Sequence, residues 1–336
     1  MSIASLVRNP EVKDLFASVI VRPGRILPRP MVAPPLTQNY RRAGTAFDYL
    51  FRFYLQRLNR RAKAGTWVAD VGVEKLLMTS FTYDIDKDEH AIDPKTAFAI
   101  EIRRHASQQY QRYIKSGTIT DDLLKSTLRL AKLDLLHRAG LEYIDDAISD
   151  NIGKSEIREL RNLISAVNRK SFIARHACVL NPTFGFASQL AGADADIVID
   201  DKIIEVKTTQ FLNLDRRDLY QLVAYYVLLL LDGVTIRGPD NKHMLYAENV
   251  SEITHLGIYF SRHGYLHLWP VRELLMPDAL LDFTARFIEY CCPNEDRRVD
   301  LLHRCRGRFS NEVRKYIEKR ASVDAAARKR NKKRPG

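Results

Sequence analysis

The sequence predicts an α/β fold. Three observations carry that prediction. A 21-residue stretch, RRAGTAFDYLFRFYLQRLNRR, has the period of an amphipathic helix. Two hairpin patterns follow much later, one around Asp200-Asp201-Lys202 and one around Arg262-His263-Gly264. A strongly apolar helix over 215–231 lies between them. Helix, helical insertion, strands, helix and strands in that order give a sheet with helices packed on it.

Taken in order, the elements rest on the following signals. Residues 22–36 hold Pro23, Pro28, Pro30, Pro34 and Pro35, which block helix and central strand, so 1–36 is expected as an extended N-terminal segment. In the first helix Phe47, Leu50, Phe51, Tyr54, Leu55 and Leu58 form one apolar stripe. Thr45 suits its N-cap, with Asp48 at N3 as in a capping box. From about 70 to 170 the pattern is helical, with 95–115, 120–148 and 155–170 as amphipathic helices of an all-α insertion. The sheet spans about 176–271. It holds a first strand over 176–186, a hairpin of 195–199 with 203–208, and a hairpin of 256–261 with 265–270. Asp232-Gly233 closes the 215–231 helix, and 278–291 is again helical. One domain over 37–292 and a charged tail over 293–336 complete the organisation.

Composition narrows the function. The chain of 336 residues is 46% hydrophobic and 28% charged, enough apolar material for a sizeable core. Half of its net charge of +12 sits in the basic tail, on Arg328, Lys329, Arg330, Lys332, Lys333 and Arg334. Such an excess points to nucleic acid, and those six residues are its candidate non-specific phosphate contacts; the bland alternative is a solvated tail. Four cysteines in this length are no disulfide framework. The longest apolar run, residues 222–231, falls short of the roughly 20 residues of a membrane span. With no signal-peptide pattern, the expectation is a soluble cytoplasmic protein that engages no membrane.

The first hairpin raises the chemical question, because GADADIVIDDKIIEVKTT sets charged residues into an aliphatic pair of strands. Side chains alternate faces along a strand, and directly opposed residues of an antiparallel pair share a face. If 199 pairs with 202, Asp196 lies opposite Glu205. If 200 pairs with 203, Asp196 lies opposite Lys207. Either register gathers Asp194, Asp196, Glu205 and Lys207 on one face and Ile197, Ile199, Ile204 and Val206 on the other. Two facing carboxylates repel, and a divalent cation relieves that repulsion. A neighbouring lysine can orient water and stabilise charge on a phosphate. The bland reading is a cross-strand salt bridge on a wet face.

Here the sequence resembles the PD-(D/E)xK nuclease superfamily, whose acid, spacer and (D/E)xK lie on such a hairpin. It is similar in particular to the RecB-like branch. Gln221 and Tyr225 match that branch's Q-x-x-x-Y helix, and Gly44-Thr45-Ala46-Phe47-Asp48 matches its G-x-x-x-H start, with Asp48 where the family has histidine. The resemblance spans roughly 40–275. It implies a restriction-endonuclease-like αβββαβ core with a large helical insertion, and Mg²⁺- or Mn²⁺-dependent hydrolysis of a DNA phosphodiester. It assigns Asp196 and Glu205 as metal ligands, Asp194 as the alternative ligand and Asp48 as a further one. Lys207 would position and activate the water, and Gln221 and Tyr225 would support the site. Repair, antiphage defence and mobile-element processing all use such enzymes. No G-x-x-x-x-G-K-[ST] motif is present, so coupling to translocation would need a helicase, ATPase or defence-system partner. The runner-up is a catalytically inactive nucleic-acid-binding or scaffold protein on the same fold. Some members of the branch hold an iron–sulfur cluster through one early and three late cysteines. Here Cys178, Cys291, Cys292 and Cys305 have the wrong spacing for it. His176 with Cys178, or His263 with His267, are more readily structural than zinc-binding.

Overall fold

The sheet is built from six strands whose spatial order follows the chain. They are β1 (Lys63–Ala64), β2 (Cys178–Leu180), β3 (Ile197–Ile199), β4 (Lys202–Lys207), β5 (His255–Phe260) and β6 (Tyr265–Pro270). Neighbours are antiparallel except β1–β2 and β4–β5, which run parallel. This computed structural model describes residues 3–84, 89–184, 194–237, 244–247, 250 and 252–291. The expected basic tail, including Arg328, Lys329, Arg330, Lys332, Lys333 and Arg334, lies outside them, as do Cys292 and Cys305.

Among the described residues the helices longer than four residues are α1 (Pro10–Ala17), α2 (Tyr40–Leu58), α3 (Val68–Thr79), α4 (Pro94–Ser116), α5 (Asp121–Arg138), α6 (Ile144–Ile148), α7 (Lys154–Ser165), α8 (Arg216–Asp232) and α9 (Pro277–Cys291). Between α2 and β2 the chain inserts β1 and helices α3 to α7, and α8 lies between β4 and β5. The sheet divides the apolar interior into two layers. On one side Val198, Ile203, Leu256, Ile258 and Phe260 pack with α8, α9 and α1. On the other, Ile197, Ile199, Ile204 and Tyr259 pack with α2 and the helical insertion. Every residue from Leu222 to Leu231 is buried, which explains why that run reads as apolar all round.

Several expectations are corrected. The N-terminal segment is extended only after α1. Val12 and Phe16 of α1 are buried, and Phe16 packs on Phe283 and Phe287 of α9. Apolar burial there outweighs the extended habit of the proline-rich stretch behind it. α2 begins at Tyr40 with Asn39 as N-cap, so Thr45 and Asp48 are not a capping box but lie within the helix. The helical region contains an antiparallel hairpin, Phe81–Asp84 with Glu89–Ile92. The segment expected as one helix over 120–148 breaks at Gly140, whose φ of 135° no helix tolerates. The first strand is limited to three residues because Asn181 turns to φ 53°. β1 and a small hairpin, Thr235–Arg237 with Met244–Tyr246, carried too little pattern to be read.

One buried ion pair fastens the extended segment to α7 and to the turn between β5 and β6. Arg262, 0% exposed, reaches Glu159 of α7 at 2.6 Å and also donates to the Ala33 carbonyl. The other Glu159 oxygen accepts the backbone N–H groups of Leu36 (2.9 Å) and Thr37 (3.1 Å).

Candidate active site

The hairpin adopts the first of its two registers. Ile199 pairs with Lys202 and Ile197 with Ile204, and one further step sets Asp196 across from Glu205. The turn is held by Asp200, at φ 50°, whose carboxylate accepts the N–H groups of Arg175, His176 and Ala177. The acidic face is largely covered. α8 covers it, and Glu205 is only 7% exposed. The aliphatic face turns to α2, as the parity required.

Four side chains meet around Glu205. Its Oε1 takes Lys207 Nζ at 3.1 Å and Gln221 Nε2 at 3.3 Å. Gln221 also donates to the Tyr225 hydroxyl at 2.5 Å, one helical turn on. Glu205 Oε2 is buried and has no hydrogen-bond partner. An orphaned buried oxygen of this kind costs roughly 1–3 kcal/mol. Asp196 Oδ2 accepts the Val206 N–H at 2.6 Å. Asp194 lies exposed on the approach to β3, so it is Asp196 that the fold brings to Glu205.

The electrostatics follow from this crowding. Asp196 keeps part of its surface in water, but burial, Glu205 and Asp48 push its carboxyl well above the usual range. Burial also raises Glu205, with Lys207 opposing the shift. Burial alone would lower the Lys207 ammonium's pKa. Glu205, Asp218 and Asp196 outweigh it, and the ammonium is held above the ordinary lysine range. The site is therefore two crowded acids beside a fixed positive charge.

Sequence reasoning missed two residues. Asp218, in the first turn of α8, holds Lys207 Nζ from the other side at 3.1 Å. Arg52 pairs with Asp48 at 2.5 Å and lies over the Tyr49 ring. Asp48 does belong to the neighbourhood, since its charge raises both Asp196 and Glu205, but its carboxylate is engaged by Arg52. An acid at N3 of an apolar helix gave the only signal for Asp218. Arg52, four residues after Asp48, was legible as an i,i+4 pair.

Comparison with protein-family models, curated proteins and solved structures found no match for this chain.

Among the described residues no group of three or more His, Cys, Asp or Glu is arranged to hold a metal ion. The fit of a cation therefore rests on two acids. Magnesium needs no more, since it takes one or two carboxylates and completes its shell with water and substrate phosphate. The unpartnered Glu205 Oε2 and the raised pair suit such an ion. The alternative zinc pairs are otherwise occupied. Cys178 is buried with its thiol pushed up to about 12, chiefly by burial. The His263 ring nitrogens face the carbonyls of Pro30 and Gln210, and His267 Nδ1 faces the Tyr265 hydroxyl. No described helix is long and apolar enough to cross a membrane.

Proposed function

We propose that the chain is a divalent-metal-dependent nuclease on a restriction-endonuclease-like core, hydrolysing phosphodiester bonds of DNA. The single observation that carries this reading is Glu205. One of its oxygens is held by Lys207 and Gln221, and the other is buried without a partner and opposes Asp196 across the hairpin. A structural salt bridge would use both oxygens or expose them.

On this reading Asp196 and Glu205 would hold Mg²⁺ or Mn²⁺. When bound, that ion supplies Lewis-acid stabilisation of the phosphate and eases ionisation of water. Lys207 is charged and clamped from two sides, so it serves as a positioned cation and not as a proton acceptor. It orients the attacking water and offsets charge on the scissile phosphate. Gln221, itself held by Tyr225, keeps Glu205 Oε1 in place, and Oε2 is left without a partner. Asp48 and Arg52 tune the field at the rim.

The test compares wild type, Lys207→Ala and Glu205→Gln on supercoiled, linear and single-stranded DNA with Mg²⁺, Mn²⁺ or EDTA. The expected result is metal-dependent cleavage by wild type that both variants lose. The second reading is a binding or scaffold protein on the same framework. The engagement of Asp48 by Arg52 favours it, because it leaves two acids at the hairpin where the resembled family uses three ligands. DNA binding without cleavage in any metal would select that reading.

A further inference from the structure

A cleft of about 560 Å³ lies beside α8, lined by Arg22, Arg25 and Arg216 above a floor that includes Ile20, Leu214 and Tyr220. That volume lies within the roughly 300–1,000 Å³ of pockets that take compact ligands. No acidic residue lines the cleft. All three arginines are exposed, and none is paired with a carboxylate among the described residues. A second cleft, of about 620 Å³, also holds cations, but its Arg42, Arg138 and Lys132 already bond to Glu156, to Asp134, and to Ser149 with Asn151. The first cleft sets its three arginines over an apolar floor with no acid in its lining, whereas Asp134 and Asp146 line the second.

Its position ties it to the site. Leu212–Leu214 belong to the connector that runs from Lys207 to α8, and Arg216 lies two residues before Asp218, the partner of Lys207. Gly24, between Arg22 and Arg25 in the lining, has nothing within 4 Å of where a side chain would begin, so a chain can approach the backbone there.

We infer that this cleft holds an unpaired strand of nucleic acid next to the catalytic centre. Arginines suit phosphates, and the half-buried Ile20, Ile26 and Leu214 offer an apolar surface to the face of a base, with Tyr220, stacked on Phe16, closing the bottom of the cleft. A duplex keeps its bases stacked inside and presents mainly backbone, so it can use the arginines but not the floor. The site should therefore prefer single strands, frayed ends or flaps over blunt duplex. The inference rests on the nuclease reading only for the role of the neighbouring residues.

The experiment measures binding in EDTA, where cleavage is off. Fluorescent oligothymidylate and a blunt hairpin duplex are titrated against full-length wild type and the triple variant Arg22→Gln, Arg25→Gln, Arg216→Gln. A matched variant, Arg60→Gln, Lys154→Gln, Lys170→Gln, controls for net charge. All three positions of the test variant are exposed, so folding is preserved, and circular dichroism checks it. The expected result is a loss of oligothymidylate affinity of about tenfold or more, with the salt slope shallower by about 2 for three lost phosphates. The loss on blunt duplex and in the control is expected to be much smaller. Oligothymidylate binding that is absent in wild type, or unchanged in the triple variant, overturns the inference. So does an equal loss on duplex, or competition by polyglutamate as strong as by oligothymidylate, which would reassign the cleft to an acidic peptide. Wild type that binds through the cleft but never cleaves overturns the nuclease reading alone.

Discussion

Removing the Glu159 carboxylate is the severest single change the fold predicts outside the site. Arg262 and Glu159 are 0% and 1% exposed at their side chains and lie 2.6 Å apart. In Glu159→Ala the guanidinium stays buried with only the Ala33 carbonyl as acceptor, and its Nε already lacks a partner. Breaking a buried pair in this way costs about 3–5 kcal/mol. The N–H groups of Leu36 and Thr37 lose their acceptor as well, at roughly 1–3 kcal/mol for each that water fails to reach. These losses share a site and do not add, so about 3 kcal/mol is the floor. Against a total stability of about 5–15 kcal/mol that is a large share. Replacing both partners, Glu159→Leu with Arg262→Met, removes the stranded charge and should recover most of the loss. Urea unfolding followed by circular dichroism, compared at equal m-values, measures both variants. A single variant within about 1 kcal/mol of wild type, or a double variant no better than the single, would refute the argument that stranded charge dominates.

Three further outcomes follow from the site and its supports. Asp196→Asn should lower metal-dependent cleavage by about 100-fold or more, whereas Asp194→Asn should leave it nearly intact, because only Asp196 faces Glu205; equal effects in a nuclease assay would reverse that assignment. Asp134, raised to about 6 by burial against the opposing Tyr49, Arg138 and Arg52, holds its proton longer when folded than unfolded, so its contribution is complete at low pH and is lost as pH rises through about 6. Asp134→Asn still accepts the Tyr49 hydroxyl and should gain on wild type by up to about 3 kcal/mol between roughly pH 4 and pH 7; parallel urea-midpoint curves would contradict this. Gly264→Ala should destabilise by more than about 1 kcal/mol, since Gly264 sits at φ 58° and a Cβ would come within 2.5 Å of the Ala166 carbonyl; an unchanged Tm would speak against that strain.

Much of the site was readable because strand parity is a local rule. Alternation alone placed Asp196, Glu205 and Lys207 on one face, and helical spacing placed Gln221 beside Tyr225. The choice between the two registers was not local. It depended on the Asp200 carboxylate finding three N–H groups of residues 175–177, some two dozen residues upstream. Asp218 was missed for a similar reason. It reads as an acid in a first helical turn until α8 docks and brings it to Lys207.

By itself the sequence determined the α/β alternation, the apolar helix α8 and the face that carries the charges, all of which are set by periodicity over a few residues. Tertiary structure decided what those charges experience. Covering the hairpin with α8 buried Glu205, crowded Asp196 against it, left one carboxylate oxygen without a partner and set Lys207 between Glu205 and Asp218. Burial and the distances between segments far apart in the chain set those properties, and no short window of residues encodes either.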